Sequence, residues 1–148
     1  METPANIETH PIHPMLAAMP FGLWLMSLMC DVAHATGSPN SHWPVLALYT
    51  MAAGLAMALV VAGPGLVDML LLKGGLHCTA LIHAGINLMV VALYFVNLWL
   101  RTGDGDPGLT LLLSVLGIAL LLVSGWLDGK MADVPEPAPV DKERHLRA

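Results

Sequence analysis

His10-Pro11-Ile12-His13-Pro14 runs straight into MLAAMPFGLWLMSLMCDVAHA, residues 15–35, and these two pieces read together decide the fold. The second piece is apolar over a length that crosses a hydrocarbon core, which takes about 20 residues of helix. Three more such runs follow, over residues 44–72, 77–100 and 108–127. The chain has 148 residues, 56% hydrophobic and 11% charged, with a mean hydropathy of +0.70. Soluble domains carry about 25% charged residues. Four spans leave no length for a soluble core, so the expected fold is all-α: an integral membrane four-helix bundle, up-down-up-down.

Around the spans the chain divides simply. Residues 1–9 form an acidic leader, residues 10–130 the transmembrane domain, and residues 131–148 a Pro- and charge-rich tail expected to be disordered. Nothing basic precedes the first run, and Asp31 and His34 follow it instead of a small-residue cleavage site. It therefore reads as a spanning helix and not as a cleavable signal peptide. Gly63-Pro64-Gly65 is expected to kink or break the long second helix, and Pro20 to bend the first. Thr36 to His42 and Arg101 to Pro107 read as polar links.

Charge fixes orientation and excludes a function. Net charge is −5, from 6 Lys and Arg against 11 Asp and Glu, and no basic patch is present to grip nucleic acid. With four spans, Lys73, Lys130, Lys142, Arg144 and Arg147 share a side and Arg101 stands alone on the other. The positive-inside rule then places both termini in the cytoplasm. Cys30 lies well along helix 1 and Cys78 at the start of helix 3, which runs the same way. Their depths differ by roughly 20 Å, against the ~7 Å limit for a disulfide. Both are expected to be core thiols. Asp104-Gly105-Asp106 lacks the rest of a calcium loop and reads as a solvated turn.

The polar residues collect on stripes. Helix 1 gives His13, Ala17, Pro20, Trp24, Ser27, Asp31 and His34; helix 3 gives Thr79, His83, Asn87, Val90, Tyr94, Asn97 and Arg101. Helix 2 gives Thr50, Gly54, Met57, Val61, Pro64 and Asp68; helix 4 gives Ser114, Gly117, Leu121, Ser124 and Asp128. Lipid cannot satisfy hydrogen bonds, so these stripes face inward. Packing explains their small residues but not His83, about 10 Å inside the interface with Asn87 one turn deeper. His10, His13, Asp68, His77 and Asp128 fall on the same membrane side. His10 and His13, three residues apart, read as sharing one helical turn. Such intramembrane groups are functional-site hypotheses by default. At the far end, Asp31 and His34 are close enough to pair, and with Cys30 and His42 form a smaller candidate metal set.

At this point the chain resembles the bacterial predicted membrane proteins of domain of unknown function 2231. The residues that carry the likeness are His10-Pro11-x-His13-Pro14, Pro20-x-Gly22, Pro64-Gly65-x-x-Asp68, His83 with Asn87, and Ser124-Gly125-Trp126-Leu127. Asp128 departs from the small residue expected after the last of these. The resemblance implies a four-helix membrane domain. Relatives fused to Rieske-type iron–sulfur or c-type cytochrome modules imply membrane redox chemistry. This sequence has no Cys-x-x-Cys-His, and two cysteines cannot hold a cluster.

Three functions then compete. A haem b electron carrier would clamp iron between His83 and His10 or His13, with Asn87 alongside. Ala17, Gly22, Ala84 and Gly85 would admit the ring, and Lys73 or Lys130 would meet the propionates. A divalent-metal protein would hold zinc or iron through His10, His13, His83 and Asp68. A packing or assembly subunit would need no cofactor. No nucleophile elbow, phosphate loop or zinc-protease motif marks an enzyme. The lipid bilayer is the expected environment, and a redox protein or a second copy the expected partner.

Overall fold

The computed structural model describes the backbone of residues 6–7, 10–71 and 75–132, and the side chains of residues 16–63 and 78–130. The acidic leader's residues 1–5 and 8–9, Lys73 and the tail from residue 133 lie outside the described residues. So do the side chains of His10, His13 and Asp68. Four helices follow one another: α1 (Ile12–Ala35), α2 (Trp43–Leu71), α3 (Gly75–Thr102) and α4 (Pro107–Ala132). Within them Leu16–Ala35, Trp43–Gly63, Cys78–Thr102 and Pro107–Lys130 are each long and apolar enough to cross a membrane.

Local chemistry sets the helix ends. Pro11 disfavours helical backbone at the residue before it, and α1 begins only at Ile12. His10 instead pairs with Ile7 in a two-residue antiparallel ladder, so it does not share a helical turn with His13. The C-terminus of α1 closes in a Schellman motif: Gly37 takes φ 83°, with Gly37 N–H donating to His34 O and Ser38 N–H to Ala33 O. At α4, Pro107 fills the first helical position, where a missing N–H costs nothing. Asp106 caps the same end, its Oδ1 accepting from Leu109 N–H at 2.8 Å. The Asp104–Asp106 turn is thus a helix cap. Helix α2 runs through Gly63-Pro64-Gly65 to Leu71 as one continuous helix, so of the kink or break those residues suggest, the break is excluded.

The helices form a ring, α1 on α2 and α3 on α4 most closely, with α2–α3 and α1–α4 completing it. Cross-helix contacts give the register. Ser27 Oγ donates to Ala47 O at 2.8 Å and Trp24 Nε1 to Met51 O at 3.3 Å, so α1 and α2 are antiparallel. Trp24 stacks on Tyr94 with centroids 4.1 Å apart and planes within 7°, while Asp31 pairs with Arg101. Both contacts join residues separated by 70 in sequence, which is the signature of two parallel helices, α1 and α3, in steady register.

At the level of that stack all four helices meet. A Cβ on Gly54 would lie 2.6 Å from the Trp24 indole, and one on Gly117 would lie 2.6 Å from the Tyr94 ring. The core is thus a sandwich in which two glycines close on two aromatic rings, as small residues allow in membrane bundles. Leu55, Ala58 and Val90 extend it. Cys30 is buried, but Cys78 is exposed; its position faces outward, and only one of the two thiols is in the core.

Candidate functional site

Two polar ends flank the aromatic core. At one, His83 is half-buried on α3 and bridges to α4. Its Nδ1 lies 3.1 Å from the Ser124 carbonyl oxygen and 3.1 Å from Ser124 Oγ. A carbonyl can only accept, so Nδ1 carries the proton and donates. The neutral ring then presents Nε2 as an acceptor, and Asn87 Nδ2 stands 2.9 Å from it. The same Asn87 nitrogen donates to the His83 backbone carbonyl at 3.0 Å. An imidazole whose Nδ1–H is held by a carbonyl is the tautomer that offers Nε2 to a metal.

His83, Asn87 and Ser124 therefore do converge. Ala17 and Ala84 are half-buried at this end, whereas Gly22 and Gly85 are exposed with open space beyond them. Those two glycines lie on the outward face and do not make room beside His83. Lys130 sits 3.9 Å over the Trp126 ring, an exposed cation–π pair of the kind found at membrane interfaces.

The other end holds what sequence reasoning missed. Asp31 does not pair with His34, which is exposed. It accepts both Nη nitrogens of Arg101, Nη1 at 2.7 Å from Oδ1 and Nη2 on Oδ2. Arg101 Nε donates to Asn97 Oδ1 at 3.1 Å. Asn97 Nδ2 donates in turn to Ser114 Oγ at 2.9 Å and Thr110 O at 3.0 Å. A charged pair this little exposed to solvent persists only where other polar groups share in its hydrogen bonding. The signal was present: Asp31 and Arg101 lie on the inward stripes of two parallel helices at the same end. Cys30, Asp31, His34 and His42 do not come together, and no group of three or more His, Cys, Asp or Glu among the described residues could hold a metal ion.

Residues 9–135 match a family model described as "Predicted membrane protein (DUF2231)". The chain belongs to this family. The match takes in all four helices, so this DUF2231 member is a membrane protein in which the spans make up the domain. No curated protein and no solved structure matches it.

Proposed function

We propose that this membrane bundle is a small redox subunit that binds haem b between α1 and α3 through His83 and His13 and passes electrons to a redox partner. The observation that carries this reading is the constant separation of 70 between facing residues of α1 and α3, at Trp24–Tyr94 and Asp31–Arg101. Carried down the same two helices, that separation brings position 13 level with position 83. Two imidazole-bearing positions at one level on different helices is the arrangement that clamps haem iron.

The state of His83 fits an axial ligand. The Ser124 carbonyl fixes the ring with Nε2 as the free-electron-pair nitrogen. Asn87 can release Nε2 and keep its second bond to the His83 carbonyl. Haem b, when bound, would supply a one-electron couple; the residues around it orient the ligand ring and exclude water. The divalent-metal alternative, zinc or iron on His10, His13, His83 and Asp68, is less well supported. Continuing the α1–α2 register set by Trp24 and Met51 carries position 68 past the first residue of α1, about 9 Å along the axis from the level of His13. The cofactor-free assembly subunit draws support from one distance, the 2.9 Å from Asn87 Nδ2 to Nε2, because a fully bonded histidine can serve as packing alone.

Absorption spectra of the detergent-purified protein, expressed with haem available, separate the three. The expected result is a Soret band that sharpens on reduction, is lost in His83→Ala, and persists in His34→Ala, which lies about 30 Å along α1 from His13. A colourless protein that zinc stabilises against heat would support the metal reading instead. A colourless protein indifferent to both would leave the assembly subunit.

A further inference from the structure

The end of the bundle remote from His83 holds a half-open cavity of about 600 Å³, bounded by the last turns of α1 and α3 and the first turns of α2 and α4. Its size falls within the roughly 300–1,000 Å³ of small-molecule sites. Pro44, Val45, Leu48 and Leu111 line its apolar wall, and Gly103 and Gly108 add no side chain to fill it. Asp31 and Arg101 are its polar floor, with side chains only 12% and 10% exposed.

The floor has hydrogen-bonding capacity left over. A guanidinium has five N–H donors. Nε–H goes to Asn97, one Nη1–H to Asp31, and the two Nη2–H to Asp31 and Ser114 Oγ. The remaining Nη1–H has no partner among the described residues. The Asp31 carboxylate receives two bonds from Arg101, and a carboxylate has about four lone-pair sites. Beside His34, which also lines the cavity, the floor therefore offers one donor and one acceptor where the formal charges of Arg101 and Asp31 already cancel. An anionic head would be repelled by Asp31 and a cationic one by Arg101. A neutral head that both accepts and donates suits the floor.

We propose that this cavity binds the ring head of a membrane quinol, one hydroxyl oxygen accepting Nη1–H of Arg101 and an O–H donating to Asp31. The apolar wall takes the ring, and the tail passes into the bilayer. The level suits an amphiphile: Trp99, largely exposed, and Trp43 mark this end of the bundle as the interfacial zone. The inference stands on the cavity alone, so a protein without haem at His83 leaves it intact.

Titration calorimetry of the full chain in phosphatidylcholine nanodiscs, against empty nanodiscs, tests it with a short-tailed benzoquinol as the probe. Saturable one-site heat is expected, at least tenfold weaker for the bis-methyl ether of the same quinol, which cannot donate. Leu48→Phe with Leu111→Phe, which fills the cavity, should abolish binding. Asp31→Leu with Arg101→Met should weaken it at least tenfold while keeping the bulk of the floor. Heat equal to that of empty nanodiscs, or equal affinity for quinol and ether, would overturn the proposal. So would displacement of the quinol by dioleoylglycerol, which would make a lipid the occupant. The comparison of the two ligands on the unaltered protein keeps the outcome decisive if the variants do not fold.

Discussion

Trp24 and Tyr94 are large flat side chains that can stack at mid-bundle only because their outer faces meet glycine. Adding one methyl group at Gly54 or Gly117 puts a carbon 2.6 Å from a ring, inside any tolerable contact. Gly54→Ala and Gly117→Ala should each destabilise the bundle by about 1–3 kcal/mol, the usual cost of overpacking. Gly22→Ala and Gly125→Ala, with nothing within 4 Å, should leave the melting temperature in detergent within a degree or two. The Asp31–Arg101 pair behaves in the opposite sense. Its cost appears when it is halved: Asp31→Ala strands a guanidinium and should cost about 3–5 kcal/mol. Replacing both partners by apolar residues should cost far less. A double-mutant cycle read by thermal unfolding would check both, and near-additive losses would show that the pair contributes little.

Elements end where side chains end them. Asp106 satisfies Leu109 N–H at the start of α4, so Asp106→Ala should lower stability by about 1 kcal/mol and Asp106→Asn should recover most of it. The loss of near-ultraviolet circular dichroism on heating would show the difference. The same scale shows how much the sequence carried. The inward stripe on α3 is borne out along its length: Val90, Tyr94 and Asn97 are buried and His83, Asn87 and Arg101 half-buried. On α1 it holds for Pro20, Trp24, Ser27 and Asp31 and fails at His34, which lies in the last turn where the bundle opens. Periodicity could place faces but not partners. Asp31 was matched to its neighbour three residues on, because spacing along one helix is visible in sequence and the distance across to Arg101 is not. Of the kink or break expected at Gly63-Pro64-Gly65, a break is ruled out by the continuity of α2, since a proline removes one donor and a helix packed in a bundle tolerates that loss.

For the whole molecule, the four spans put the start of α1 and the end of α4 on one side, and we propose from the Lys73 and Lys130 pair against Arg101 that this side faces the cytoplasm. An impermeant maleimide should fail to label a cysteine added after Ala148 in intact spheroplasts of a variant lacking Cys30 and Cys78. It should label that cysteine after lysis. Labelling of intact cells would turn the bundle over and put His83 at the outer face. The fold at this scale was readable because four apolar runs of spanning length have few arrangements. The site was readable only as a set of residues: His83 was legible as an anomaly on an apolar helix, while its hold on Ser124 depends on how α3 leans on α4. That pairing preference has a consequence for how the protein is made. Helix α1 packs chiefly on α2 and α3 on α4, so the chain divides between α2 and α3 into two hairpins that meet across the Trp24–Tyr94 stack. A gene cut there should still give a working protein from two separate polypeptides, each inserted by itself and finding the other within the bilayer.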